Sequence, residues 1–269
     1  MKPITISEKM MFNTVKLETD IGSGTGFFFS FSIKNNDICP VIITNKHVVN
    51  NKTREKVKFT LHIREEDGSS SDNIKCEYTV DWFFHSKYDL CFCFFEPIRK
   101  DVEKQISKPI FYITNEENIL ALEDKLDSLS QLEEVVMIGY PIGLSDEKNN
   151  FPIFRKGYTA THPAIDFNGD KIGLVDMACF PGSSGSPIFI LNEGSYADKN
   201  GNLYAGSRVI FLGIQYAVPI YNSVGDIQIT TQNPTMHIST RQMTNLGFYI
   251  KASELLEFKE MIEQIVQKQ

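Results

Sequence analysis

The first hundred residues of the chain consist of short aromatic and β-branched runs that are separated by polar turn sequences. Phe27 to Ile33 and Val41 to Thr44 are two such runs, and Val57 to Ile63 alternates apolar with polar residues. That alternation has the two-residue period of a half-buried strand. Further runs follow at 78–84 and 90–95. Many short strands at this spacing predict an all-β barrel or sandwich.

A second set of strand-like runs begins at residue 133, after a looser stretch that we interpret as the connection between two β lobes. The final segment, Ser253 to Gln269, has its apolar residues on one helical face and Glu and Lys on the other, which predicts an amphipathic helix. The resulting division of a single domain over 1–269 is an N-terminal β lobe at about 15–100, a connecting segment at about 101–132, a C-terminal β lobe at about 133–252 and a helix at 253–268.

Charge and composition argue against several classes of partner. Lys and Arg number 27 and Asp and Glu 34, a net charge of −7, and no basic run offers a local site for phosphates, so we expect no nucleic-acid partner. No window reaches the ~18 apolar residues that cross a bilayer, and residues 1–20 contain no apolar block typical of a signal peptide. Five cysteines, an odd number, fit a reducing compartment. We therefore expect a cytoplasmic protein without a membrane partner.

The segment from Gly182 to Pro187 contains a candidate nucleophile, Ser184. A serine between glycines on a tight turn suits acyl transfer, because the glycines leave room for the substrate carbonyl. The backbone N–H groups of Gly182 and Ser184 can then converge on the developing oxyanion. A plain Gly/Ser hairpin turn explains this motif equally well, so the hypothesis requires a base and an acid elsewhere in the chain.

His47 and Asp89 are the candidate base and acid. His47 follows an apolar strand in the segment 44–49, where its side chain can project into a cleft, and His85 is the one rival among five histidines. Asp89 directly precedes a strongly apolar strand, and a carboxylate there is costly to bury without a partner. We predict that it holds the imidazole in one tautomer, although an ordinary Asp at a strand start is the alternative.

The sequence resembles the trypsin-like serine peptidases of chymotrypsin fold, and most of all the HtrA-type protease domain, from about residue 20 to 266. Family patterns such as S-G-x-G-F, T-N-x-H-V-V, x-D-L, I-G-x-P-x-G-L and G-N-S-G-G-P have counterparts here in family order. The matching segments are Ser23–Phe27, Thr44–Val49, Tyr88–Leu90, Ile138–Leu144, Gly182–Pro187, Leu212–Ile214 and Leu246–Ile250.

The resemblance implies an all-β fold of two six-stranded antiparallel β-barrels with a C-terminal α-helix. It also implies a serine endopeptidase that acts on protein or peptide substrates, with His47, Asp89 and Ser184 as catalytic residues. The implied oxyanion hole is formed by Gly182, Ser183 and Ser184. No metal and no organic cofactor is implied.

Several positions depart from the family pattern. Ser183 replaces the usual Asn, or the Asp of the digestive enzymes, so we expect no activation by a newly cut N-terminus. Ser186 replaces a second glycine, and no PDZ domain follows the last helix of this sequence. Two polar stretches, Asn192 to Gly206 and Tyr221 to Thr244, are longer than in compact members.

The expected substrate pocket comprises Ala178, Cys179, Phe180, Ile214, Gln215 and Tyr216. Ala178 stands six positions before Ser184, where tryptic members have Asp, which argues against Lys or Arg at P1 and favours a small or apolar residue. Two alternatives stay open. One is a catalytically silent domain that binds peptides, and the other is an effector kept inactive until a regulatory protein partner or another copy completes the site.

Overall fold

The computed structural model describes residues 1–34, 37–227 and 236–267, which form two β lobes and a C-terminal helix. The strands of the first lobe are β1 (Thr14–Thr19), β2 (Gly22–Ser32), β3 (Ile38–Thr44), β4 (Arg54–Arg64), β5 (Ser70–Asp81), β6 (Phe83–Phe84), β7 (Cys91–Phe94), β8 (Ile110–Phe111) and β9 (Asn115–Glu116). Those of the second lobe are β10 (Glu134–Gly139), β11 (Ile153–Thr159), β12 (Ile172–Asp176), β13 (Pro187–Asn192), β14 (Ser195–Ala197), β15 (Leu203–Ala205), β16 (Arg208–Ala217), β17 (Ile220–Ile227), β18 (Met236–Met243) and β19 (Leu246–Lys251). The α-helices are α1 (Ile6–Met10), α2 (Glu96–Ile106), α3 (Glu123–Leu126) and α4 (Leu256–Val266).

The second lobe contains the predicted six-stranded antiparallel barrel. Its strands close in the order β10-β11-β12-β19-β16-β13. The two long polar stretches noted in the sequence contain hairpins, β14–β15 in the first and β17–β18 in the second. Residues 228–235 of the second stretch lie outside the described residues.

For the first lobe, the prediction of a closed six-stranded barrel is wrong. The lobe is an open nine-stranded sheet of order β5-β4-β1-β2-β3-β7-β6, in which β8 adds to β4 and β9 adds to β2. The end strands β5 and β6 follow each other directly through Trp82, but β5 pairs with β4 and β6 with β7. Trp82 therefore connects the two end strands of the sheet along the chain. Among the described residues, no ladder of hydrogen bonds joins β5 to β6.

Aromatic side chains fill the interface between the two lobes. Phe27 and Phe29 of β2 pack against Phe211 of β16, with ring centroids 5.3 and 6.3 Å apart, and all three are fully buried. Each such side chain contributes roughly 1.5 to 3 kcal/mol by leaving water. This shared core fixes the first lobe relative to β16, which pairs with β13, the strand that follows the Ser184 turn.

The C-terminal helix begins about one turn later than predicted. A 3₁₀ turn, Ala252–Leu255, precedes α4, which the structure ends at Val266. Phe258 of α4 packs on Phe92 of β7 with ring centroids 4.9 Å apart. The helix therefore covers the strand that directly follows Asp89. Among the described residues, no helix combines the length and apolar character that a bilayer crossing requires.

Candidate active site

His47 lies on a 3₁₀ turn that follows β3. The turn covers Lys46–Val49, and its Val48 and Val49 side chains are buried, so they anchor the turn in the core of the first lobe. The His47 side chain remains 41% exposed. The local sequence thus holds the backbone firmly while the imidazole faces solvent.

A direct hydrogen bond joins His47 to Asp89. The distance from His47 Nδ1 to Asp89 Oδ2 is 2.5 Å, and the His47 backbone N–H donates to Asp89 Oδ1 at 3.2 Å. An ionised carboxylate only accepts hydrogen bonds, so Nδ1 carries the ring proton. Nε2 is then left with a free lone pair, which is the form of imidazole that acts as a base.

The loop that carries Asp89 is held by α4 and by His85. Glu257 of α4 accepts hydrogen bonds from the Ser86 backbone N–H at 2.6 Å and from its hydroxyl at 2.8 Å. His85 Nδ1 accepts from the backbone N–H groups of Lys87 and Tyr88 at 3.1 and 3.0 Å. Burial lowers the pKa of His85. His85, the rival base in the sequence, therefore has a structural role in this loop.

The Ser184 turn is tied to the first lobe through two threonines. The Thr25 backbone N–H donates to Ser184 O at 3.0 Å, and the Thr44 hydroxyl donates to Thr25 O at 2.7 Å. Thr44 ends β3, three residues before His47. These two hydrogen bonds thus link the serine turn to β2 and β2 to β3, and β3 leads directly into the His47 turn. Sequence reasoning missed both threonines, because single hydroxyls in strands carry no distinctive signal.

The peptide before Gly182 is oriented by a contact with the turn at 141–143. Pro181 O accepts a hydrogen bond from the Ile142 N–H at 2.5 Å, and the C=O and N–H of a trans peptide point in opposite directions. The Gly182 N–H therefore points away from Ile142. Among the described residues, neither this N–H nor that of Ser184 has an acceptor. Two donors beside Ser184 are thus free to bind a developing oxyanion.

The backbone N–H and the hydroxyl of Ser183 both form hydrogen bonds within the turn itself. Its backbone N–H donates to Phe180 O at 3.0 Å, and its hydroxyl accepts from the Phe180 N–H at 3.2 Å. The N–H of Ser183, which the resemblance grouped with the oxyanion hole, is already used in this bond. The serine that stands in place of Asn or Asp closes the turn locally.

Gly185 gives a stability test of this turn. Its φ is +83°, and a Cβ there would lie 1.9 Å from Thr25 O, a backbone atom. We expect Gly185→Ala to lower the free energy of unfolding by about 2 kcal/mol or more, since both the left-handed backbone and the overlap oppose a side chain. Urea denaturation measures the loss. Gly22→Ala is the control, because a Cβ at Gly22 meets no atom within 4 Å; equal stability of both variants would contradict the close approach.

The residues predicted to line the substrate pocket differ in burial and do not all line one cleft. Gln215 and Cys179 are buried and adjacent, with Cys179 Sγ 3.7 Å from Gln215 Oε1, and burial raises the pKa of Cys179 to about 11. Tyr216 is half-buried and Phe180 is 40% exposed. Ile214 is fully buried in the core between the lobes, so it faces no cleft.

Ala178 interacts with a residue that the sequence analysis overlooked. Its carbonyl accepts a hydrogen bond from Arg155 Nη1 at 2.7 Å. Arg155 lies on β11, and its register opposite Met137 of β10 becomes visible only in the folded barrel. A hydrogen bond from a guanidinium group therefore holds the segment that leads to Ser184.

The chain is similar to a protein-family model and, at low identity, to solved structures. A family model for the trypsin-like peptidase domain matches residues 24–196. Among solved structures, the serine protease of human pathogenic astrovirus has 14% identity and a TM-score of 0.41, and the match covers 89% of this chain and 88% of that chain. The inactivated protease paralogue S-I1 of the scabies mite has 13% identity and a TM-score of 0.48, with 97% of each chain covered.

No curated protein sequence matches the chain. The family model, however, covers more than half of the 269 residues and includes the segments that carry His47, Asp89 and Ser184. The chain therefore belongs to the trypsin-like peptidase domain family.

Proposed function

We propose that the protein is a serine endopeptidase in which Ser184, His47 and Asp89 act together. The observation that carries the proposal is the 2.5 Å hydrogen bond between His47 Nδ1 and Asp89 Oδ2, which prepares Nε2 as a base. Support comes from the serine turn, which is bonded to Thr25 and has two free N–H donors. The family assignment implies protein substrates.

The proposed reaction proceeds through an acyl-enzyme. Ser184 Oγ attacks the scissile carbonyl while its proton passes to His47 Nε2, and the N–H groups of Gly182 and Ser184 bind the oxyanion. The imidazolium, stabilised by the Asp89 carboxylate, then gives its proton to the leaving amine. Water attacks the acyl-enzyme with the same base, which releases the acid product and restores the serine hydroxyl.

Within the trypsin-like peptidases we propose an HtrA-type domain, on the strength of the segments at 44–49 and 138–144. The five cysteines are free thiols, two of them fully buried. Unpaired thiols persist in reducing surroundings, which supports a cytoplasmic location as part of the proposal.

Labelling with a fluorophosphonate tests the function, since the probe reacts with a serine only when a base activates it. We expect one adduct per folded chain, mapped by peptide mass to Ser184 rather than Ser183 or Ser186, together with cleavage of casein. Heat-denatured protein is the control and should stay unlabelled. A folded chain that shows neither reaction would favour a silent peptide-binding domain or an effector that awaits a partner.

A further inference from the structure

Arg155 points into the second barrel. It stands directly opposite Met137 in the β10–β11 ladder, and paired residues of antiparallel strands project from the same face of the sheet. Met137 is fully buried in the core of this lobe. The Arg155 side chain therefore enters the barrel as well, where its Nη1 meets the carbonyl of Ala178.

Within the described part of the chain, no carboxylate forms an ion pair with Arg155. Its Nε and Nη2 are shielded from solvent and have no acceptor among the described residues. Burial lowers the pKa of Arg155. A guanidinium stays protonated even so, and shielded N–H groups that lack acceptors destabilise the structure.

The Arg155 guanidinium contacts the segment that leads to Ser184, because its partner Ala178 stands six positions before that serine. A Cβ on Gly247 would lie 2.5 Å from Cys179 Sγ and 2.6 Å from Gln215 Oε1, so these three residues form one cluster next to Ala178. Gln215 also accepts a hydrogen bond from the Gly185 N–H at 2.9 Å through its backbone carbonyl. The cluster is therefore adjacent to the turn of the nucleophile.

We infer that the pocket selects an acidic P1 residue, Asp or Glu, with Arg155 as its counter-charge. The inference rests on the proposed endopeptidase function and replaces the small or apolar P1 residue expected from Ala178. A P1 carboxylate brings both the negative charge and the hydrogen-bond acceptors that the guanidinium lacks. A basic P1 residue would add a second cation, and an apolar one would leave the buried charge unpaired.

Entry of such a side chain requires one weak contact to open. Cys179 and Gln215 close over Gly247 through a Sγ–H···Oε1 contact of 3.7 Å. Thiols are weak donors, so rotation of the Cys179 side chain away from Gln215 costs little compared with the charge pairing it permits. The second hydrogen bond of the Gln215 amide, from Nε2 to Ala217 O at 2.7 Å, keeps that side chain anchored to β16.

The experiment compares four peptides that differ only in P1, which is Glu, Gln, Leu or Lys. We expect kcat/KM for the Glu peptide to exceed that for the Gln peptide by on the order of 10- to 100-fold, because Gln matches Glu in shape but lacks its charge. In Arg155→Met this ratio should fall to near one, whereas Arg155→Lys should keep part of it. Lys156→Met removes the same charge from the exposed face of β11 and should leave the ratio unchanged.

The readout is a ratio within each variant, so a general loss of stability does not imitate the effect. If Arg155→Met fails to fold, the wild-type Glu-to-Gln ratio and its partial retention in Arg155→Lys decide the case. Faster cleavage after Leu or Lys than after Glu, with Ser184 still labelled by the fluorophosphonate, would overturn the inference and leave the endopeptidase function standing. Absence of both labelling and cleavage would overturn the function, and the acidic preference with it.

Discussion

Replacement of Ser184 by alanine should lower the rate of casein hydrolysis by a factor on the order of 10⁴ to 10⁶. The hydroxyl is the atom group that forms the acyl-enzyme, so the variant retains the oxyanion donors and the His47–Asp89 pair but has no nucleophile. Ser184 is partly buried, and within the described part of the chain its Oγ forms no hydrogen bond, not even with His47, whose ring bonds to Asp89. Stability by thermal denaturation should therefore stay close to that of the wild type.

The matched control is Ser195→Ala, which removes a hydroxyl from the exposed β14 strand. Its activity should equal that of the wild type. Initial rates with labelled casein, measured on equal amounts of folded protein, check both variants. A Ser184→Ala protein that retains more than a tenth of the activity would show that another group supplies the nucleophile.

The sequence was sufficient to predict the elements that depend on local pattern and motif order. The two-residue alternation predicted β structure, and the apolar face of 253–269 predicted the closing helix within one turn of its start. The pairing of His47 with Asp89, 42 positions apart, followed from the cost of burying a lone carboxylate before an apolar strand. The strand and helix predictions use residues whose surroundings are set mainly by their neighbours in the chain, whereas the His47–Asp89 pairing rests on the chemistry of the carboxylate.

The features of the fold that the sequence did not predict depend on which distant segments of the chain pair with each other. Strands β8 and β9 have two residues each, too few to produce a periodic pattern, yet they help to make the first lobe an open nine-stranded sheet. Ile214 was predicted to line the pocket and is buried in the core instead, since successive side chains of a strand point to opposite faces. Gln215, the next residue, points to the opposite face of the strand and contacts Cys179 there.

Arg155 illustrates the same limit at the candidate site. Arg155 and Lys156 are adjacent, so a strand directs their side chains to opposite faces, and the sequence does not indicate which of the two faces inward. The ladder with β10 places Arg155 opposite Met137 and directs it inward, while Lys156 pairs with Glu134 at the surface. The register of the ladder therefore distinguishes the solvated Lys156 from Arg155, whose Nε and Nη2 are shielded from solvent.

Asp89→Asn should lower kcat by a factor of about 10⁴ while the fold is preserved. Asparagine keeps the size of the side chain, but its amide NH₂ would donate to His47 Nδ1 and leave the ring proton on Nε2. That tautomer has no lone pair on Nε2, so His47 cannot accept the Ser184 proton in the proposed reaction. Steady-state kinetics on casein or a cleavable peptide measure the fall, and His47→Ala should give a loss of similar or greater size.

Asp170→Asn separates this chemical effect from loosening of the loop. Asp170 binds Lys87 at 2.6 Å, so its loss removes a carboxylate that tethers the same loop without contacting His47. We expect Asp170→Asn to stay within a few-fold of wild-type activity, because an exposed ion pair contributes about 1 kcal/mol or less. If both variants lost activity equally, positioning of the loop would explain the effect. A large loss confined to Asp89→Asn would identify the tautomer of His47 as the cause.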